Sequence, residues 1–154
     1  MWRLSVQLGL KTAVAERAEV GGTCLNRGCI PTKTLMHSAN LYREIGEAGK
    51  MGVNITGAEA DFKAMHARKA QVVEQLRGGV AQLLNGNGID VLEGEAAFVS
   101  PESITVGGEN YTAKNFIIAT GSKPAVPPIH GADLPNVVTS DEMLDTDSCD
   151  YNEL

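Results

Sequence analysis

The amino-acid sequence predicts an α/β fold, because patterns typical of helices and of short strands follow one another along its 154 residues. An amphipathic stretch closed by Gly9 precedes the segment 11–16, as expected for a helix followed by a strand that ends in Glu16. Two longer stretches have apolar residues at helical spacing, and short segments of strand composition follow the second. We therefore expect a pair of long helices and a small antiparallel β element.

Two cysteines, Cys24 and Cys29, lie five positions apart before the first long helical pattern. A disulfide between them would close a very short ring and contribute at most roughly 2 kcal/mol, so a redox function explains the pair better than stabilisation does. We expect both thiols in a loop that enters a helix. The apolar positions of that helix are Leu35, Met36, Ala39, Tyr42 and Ile45.

The helix entrance favours a reactive thiol. Pro31 suits an early helical position, where its missing N–H removes no hydrogen bond. Unpaired N–H groups and the positive end of the helix dipole stabilise a thiolate, and Lys33 adds a positive charge nearby. Cys29 has this position, so we expect it to ionise near neutral pH.

Two simpler interpretations of the pair stay open here: small apolar side chains without a partner, or half of a zinc site. Zinc is disfavoured because the only other cysteine is Cys149 and no CxxC motif follows the pair. The histidines do not have zinc-finger spacing either; they are His37, His66 and His130. We therefore predict no metal site.

The second long helix is predicted at 61–85, followed by strands at 89–92 and 95–99. Gly78 and Gly79 should weaken the middle of that helix. The residues around Gly94, between the two strands, fit an ordinary β turn without a ligand as well as they fit a cofactor contact.

The last part of the sequence predicts a hairpin and one more strand. Residues 103–112 should form a hairpin that turns at Gly107–Gly108. The apolar run 116–119 is typical of a buried strand, and it opens into the loop 120–124. A proline-rich connection follows at 124–135.

The charge and hydropathy patterns disfavour two classes of partner. A net charge of −6 with dispersed basic residues argues against nucleic acid. No apolar run reaches membrane-spanning length, and no signal-peptide pattern is present. We expect a cytoplasmic location, where a cysteine pair can cycle between its redox states.

The motif GGTCLNRGCIPTK at 21–33 resembles the redox-disulfide motif of the pyridine nucleotide-disulfide oxidoreductases. Leu25, Ile30 and Thr32 are most similar to the dihydrolipoamide dehydrogenase branch, although glutathione and mercuric reductases share the frame. The resemblance extends from residue 7 to about residue 145. It implies a partial Rossmann-like FAD-binding domain.

The resemblance also implies a role for each motif residue. Cys29 would be the thiol next to the flavin, Cys24 would exchange with the dithiol substrate, and Lys33 would lie beside the flavin ring. Glu16 would bind the adenosine ribose, although a lone acid is more often simply solvated. The complete set of FAD-binding residues implied is Glu16, Gly22, Thr23, Cys24, Cys29, Lys33, Gly94, Ala96, Ala119, Thr120, Gly121 and Ser122.

The resemblance further implies that 1–145 is an incomplete FAD-binding domain and that 146–154 is a divergent tail. The first strand and the GxGxxG turn that anchor the pyrophosphate in such folds are missing. By the same resemblance, the NAD and interface domains would lie outside this sequence, so we expect NAD to act only through a domain not contained here. The histidines of this chain are expected to be surface or packing residues.

In a full-length enzyme, the implied activity is oxidation of dihydrolipoamide, coupled through the disulfide and FAD to NAD reduction. The implied partners are the lipoyl domains of 2-oxo acid dehydrogenase complexes and a second subunit of a homodimer. This chain alone is expected to be inactive. The alternatives are another flavin disulfide reductase or a non-catalytic interaction module.

Overall fold

The structure is a computed structural model, and it describes residues 2–146. Its helices and strands confirm the predicted α/β class. The helices are α1 (Trp2–Gln7), α2 (Gly22–Arg27), α3 (Cys29–Glu47), α4 (Phe62–Gly86) and α5 (Ser140–Asp145). The strands are β1 (Ala13–Glu16), β2 (Asp90–Glu93), β3 (Ala96–Ser100), β4 (Ser103–Val106) and β5 (Glu109–Thr112). A short 3-10 helix, Ala48–Met51, follows α3.

The described chain divides into two compact units. The first comprises residues 2–22 and 76–121, and the second comprises 23–75 and 122–146. Helix α4 begins in the second unit and ends in the first. Among the described residues, no helix has the length and apolar character required to cross a bilayer.

The first unit contains all five strands, in two small sheets. Strands β1 and β2 pair in parallel, with Glu16 opposite Glu93 at the end of the ladder. Strands β3, β4 and β5 form an antiparallel meander. Its second turn has φ values of 58° at Gly107 and 91° at Gly108, as a two-residue hairpin loop requires, so the predicted hairpin is confirmed.

The chain before β1 also follows the prediction. Gly9 has a φ of 72° and donates its N–H to the Val6 carbonyl at 2.9 Å, while Leu10 donates to the Ser5 carbonyl at 3.0 Å. These two bonds close α1 in the Schellman manner. The helix closed by Gly9 and the strand ending in Glu16 are therefore both confirmed.

The second unit is mainly helical. It contains α3 and the first part of α4, which continues into the first unit through Gly78 and Gly79 without interruption. The Asp61 carboxylate accepts the Ala64 N–H at 2.9 Å and so caps the start of α4. Pro31 is fully buried, and Ala48 and Val73 are buried too.

One prediction of burial is wrong. The run 116–119 is not a strand, and Ile117 and Ile118 are 61% and 72% exposed. An apolar run becomes a strand only if a neighbouring strand completes the hydrogen-bond ladder, and no described strand pairs with this segment. Among the apolar positions of α3, Met36 is 55% and Tyr42 is 46% exposed.

Candidate redox site

Helices α2 and α3 together carry the two thiols. Cys24 is the third residue of α2, and Cys29 is the first residue of α3. Cys24 does not lie in the expected loop. Residues Gly22–Arg27 form the short helix α2, and only Gly28 separates it from α3. The prediction that Cys29 lies at a helix entrance is confirmed.

The two thiols are free, exposed and close enough for a hydrogen bond between their side chains. Donation of the Cys24 S–H to Cys29 raises the pKa of Cys24 above its ordinary value, and partial desolvation and charge on Cys29 act in the same direction. The backbone N–H of Cys29 and the charge of Lys33 oppose this increase. The net effect is that Cys24 keeps its proton more firmly than an isolated cysteine does.

The first turn of α3 is built around Gly28 and Pro31. The Gly28 carbonyl accepts the Thr32 N–H at 3.2 Å, which is the first hydrogen bond of the helix. Pro31 has no N–H to leave unpaired at this position, and its ring is buried. Lys33 lies one turn after Cys29, on the same helical face, and is exposed. The start of α3 therefore carries an exposed thiol, Cys29, and an exposed lysine, Lys33, and the exposed Cys24 lies in the helix just before it.

The first unit contains six of the other predicted cofactor residues together with Gly22: Glu16, Gly94, Ala96, Ala119, Thr120 and Gly121. The structure brings Glu16 and Gly94 together, because the Gly94 N–H donates to the Glu16 backbone carbonyl at 2.9 Å. The Glu16 carboxylate accepts the Ala18 N–H at 3.0 Å.

Gly94 has a structural role that the sequence did not reveal. A Cβ atom there would lie 2.8 Å from the Gly107 nitrogen, closer than real Cβ atoms approach. The absence of a side chain at Gly94 therefore lets the β2–β3 connection pass close to the hairpin turn. This role needs no ligand.

The remaining predicted residues are exposed to solvent. Ala119, Thr120 and Gly121 of the first unit are exposed and outside regular secondary structure, as is Ser122 of the second. Thr23, also in the second unit, is exposed in α2. Gly121 has a φ of 73°, which glycine adopts without strain.

The three histidines differ in exposure. His37 and His130 are exposed, whereas His66 is buried with its ring 4.4 Å from that of Phe62. Within residues 2–146, no three His, Cys, Asp or Glu side chains converge as a metal site would require. Cys149 lies outside the described residues.

Sequence reasoning missed one residue of this site. Gly28 is the only residue between α2 and α3, and a Cβ atom added to it would meet the backbone of Thr23 and Cys24. Its place between two cysteines in the motif was visible, but the contact depends on how α2 folds back. No local pattern in the sequence predicted α2.

Comparison with known proteins identifies the motif. A sequence profile of the pyridine nucleotide-disulphide oxidoreductases matches residues 3–152. The dihydrolipoyl dehydrogenase of Bacillus subtilis (strain 168) is 43% identical over 146 residues, which cover 92% of this chain and 30% of that protein. The one from Thermus scotoductus is 50% identical over 118 residues, covering 77% of this chain and 25% of that protein.

A solved structure has a similar fold. The HOCl-induced flavoprotein disulfide reductase RclA from Escherichia coli matches with a TM-score of 0.75 and 33% identity, over 95% of this chain and 32% of that chain. The predicted partial α/β FAD-binding fold is thereby confirmed. The chain spans about a third or less of the length of these three proteins.

Proposed function

Because this chain belongs to the pyridine nucleotide-disulphide oxidoreductase family, we propose that it forms part of a flavin-dependent dithiol–disulfide oxidoreductase. Cys24 and Cys29 are its redox pair. The observation that carries the proposal is the pair itself, two exposed thiols in hydrogen-bond contact within the matched motif.

We propose that Cys24 is the sulfur that exchanges with substrate. In the oxidised pair, a substrate thiolate attacks the Cys24 sulfur, a mixed disulfide forms there, and the Cys24–Cys29 bond breaks to leave a Cys29 thiolate. The second substrate thiolate then attacks its own sulfur in the mixed disulfide. A cyclic disulfide leaves, and Cys24 takes a proton, which its raised pKa favours.

The residues around Cys29 suit an FAD group. FAD, when bound, would accept the electron pair that the reduced cysteine pair carries. The positive end of α3 and the charge of Lys33 would stabilise the anionic character that this transfer creates. By resemblance, Glu16 would bind the ribose, and the other residues named above as FAD-binding would line the cofactor.

The finer assignments extend to a longer protein. We propose dihydrolipoamide as the dithiol, NAD as the final acceptor through a separate domain, and lipoyl domains and a second subunit as partners. Residues 1–145 would be part of the FAD-binding domain, in a cytoplasmic enzyme. The support is the 43% and 50% identity to dihydrolipoyl dehydrogenases. This chain alone should show no turnover with FAD, NADH and lipoamide.

Thiol exchange tests the proposal on the chain itself. Purified chain is incubated with lipoamide, quenched with an alkylating reagent and mapped by peptide mass spectrometry. We expect a Cys24–Cys29 disulfide that dihydrolipoamide reduces again, and a lipoamide adduct trapped on Cys24 in Cys29→Ser. Adducts trapped equally on Cys29 in Cys24→Ser, or no reversible disulfide, would contradict the assignment.

A second candidate is a reductase for another disulfide, favoured by the structural similarity to RclA. The same exchange experiment separates the two candidates. Faster adduct formation on Cys24 with oxidised glutathione than with lipoamide would favour this second candidate.

A further inference from the structure

Gly28 makes the closest backbone approach in the redox site. A Cβ atom added to it would lie 2.9 Å from the Thr23 carbonyl oxygen and 3.1 Å from the Cys24 Cα. Real Cβ atoms essentially never approach within 3.0 Å of another heavy atom. Both neighbours are backbone atoms, so no rotation of a side chain can relieve the contact. Any side chain at position 28 must therefore displace the turn that carries Cys24.

The other side of Gly28 is also fixed. Its carbonyl accepts the Thr32 N–H at 3.2 Å and thereby begins α3, whose first residue is Cys29. Displacement of α2 from Gly28 consequently moves Cys24 relative to Cys29. A disulfide tolerates little such movement, because its Cβ–Cβ separation is confined to about 3.5–4.5 Å.

Other glycines of α3 and the turn after it have no such constraint. A Cβ atom added to Gly46 in α3, or to Gly49 in the following 3-10 helix, would meet no atom within 4 Å. The close approach at Gly28 is thus a property of the junction between α2 and α3, not of glycine in this helix.

From these contacts we infer that Gly28 is a positioning residue for the Cys24–Cys29 pair, and that its missing side chain sets the approach of the two sulfurs. The inference rests on the proposed function, since it assumes that the pair closes and opens. On closing, the two thiols lose two protons and two electrons to an external disulfide. Oxidised glutathione is a suitable oxidant, and it becomes two molecules of glutathione.

The test is a thiol–disulfide equilibrium of the full 154-residue chain in glutathione buffers at pH 7. Samples are quenched in acid, alkylated and counted by mass spectrometry at Cys24 and Cys29. We expect Gly28→Ala to lower the equilibrium constant for closing the pair about tenfold, which is a shift of about 30 mV for this two-electron couple. Gly46→Ala, the same change in open space in the same helix, should leave the constant within about twofold of the unchanged chain.

The two equilibrium constants separate the proposed function of the pair from the role of Gly28. An unchanged chain that forms no reversible Cys24–Cys29 disulfide contradicts the proposed function, whereas a reversible pair with the same constant in Gly28→Ala overturns only the role of Gly28. Circular dichroism shows whether the variant is folded. If it is not, the unchanged chain is measured with and without concentrated guanidinium chloride. If the equilibrium constant for closing the pair is at least tenfold higher in the folded chain than in the denatured chain, the fold holds the two sulfurs in position, as inferred. Equal constants overturn the inference.

Discussion

The Cys24 thiol retains its proton because the S–H donates to the neighbouring Cys29 side chain. Since folding raises this pKa, the associated stability is fully present below the ordinary thiol pKa. It is lost as the pH rises through the raised value. Because this sulfur is exposed, a substrate thiolate can reach it once the pair is oxidised.

Replacement of the hydrogen-bond acceptor tests this cause. Cys29→Ala should move the alkylation of Cys24 by iodoacetamide to lower pH, because the backbone N–H at position 29 and Lys33 still stabilise the thiolate. The rate at Cys24 is followed by peptide mass spectrometry across pH 6–10. Lys33→Met is the matched control of opposite sign, since it removes a stabilising charge and should move the midpoint upward. An unchanged midpoint in Cys29→Ala would rule out the hydrogen bond as the cause.

At the scale of the element, α5 is held by reciprocal bonds at its first turn. The Thr139 hydroxyl accepts the Glu142 N–H at 3.5 Å, and the Glu142 carboxylate accepts the Thr139 N–H at 2.6 Å. Donation to the Glu142 carboxylate, first from the Thr139 N–H and then from the Thr139 side chain, lowers the pKa of Glu142. The contribution of these bonds is therefore present above the ordinary glutamate pKa of 4.5 and is lost as the pH falls through the lowered folded value.

Removal of the cap should loosen α5 locally. Thr139→Ala should cost about 1 kcal/mol, read as faster hydrogen exchange of the Met143 amide, which donates to the Thr139 carbonyl at 3.0 Å. Ser140→Ala removes a hydroxyl from the next residue and should have little effect. Equal exchange in the two variants would show that the capping box contributes nothing to α5.

The β2–β3 connection gives a second prediction at this scale. Gly94→Ala should lower the free energy of unfolding by more than about 1 kcal/mol, because the new Cβ meets the Gly107 backbone and φ at this position is +136°. Gly88→Ala is the control, with φ also positive at +65° but no atom near its Cβ. Urea denaturation compares them. If both variants lose the same stability, φ alone explains Gly94 and the close approach does not.

Elements with strong local signals could be predicted from the sequence, and those that depend on distant partners could not. Gly9 and Gly107–Gly108 mark element boundaries through their backbone conformation, and Asp61 marks one through its capping carboxylate. By contrast, the run 116–119 has the composition of a strand but no described partner. Helix α2 was not predicted, because its six residues are too few to show a helical period.

The candidate site shows the same limit. The thiols, Lys33 and Pro31 were found from their spacing, since a helix entrance dictates their positions. The function of Gly28 could not be found in this way, because the carbonyl that it meets belongs to a helix that was itself not predicted. The steric role of Gly94 likewise depends on a turn that is distant in sequence.

At the scale of the whole molecule, apolar surface is distributed unusually. Several large apolar side chains of the first unit are more than half exposed, including Leu8, Leu10, Phe98, Val99, Ile117 and Ile118. The buried apolar side chains of that unit include Leu84, Ile89 and Val106. Exposed apolar area of this kind promotes association, so the isolated chain should bind hydrophobic dyes and aggregate readily.

Two isoleucines of the first unit, one buried and one exposed, test whether the exposed apolar side chains contribute to the free energy of unfolding. Ile89 is 4% exposed, so Ile89→Ala should cost about 2–5 kcal/mol through lost burial and a residual cavity. Ile118 is 72% exposed, so Ile118→Ala should change stability by less than about 0.5 kcal/mol while reducing dye binding and aggregation. Urea denaturation and dye fluorescence measure both effects on the same samples. A large loss of stability in Ile118→Ala would mean that the run 116–119 is packed in solution. In that case the buried strand expected from its composition would form there after all.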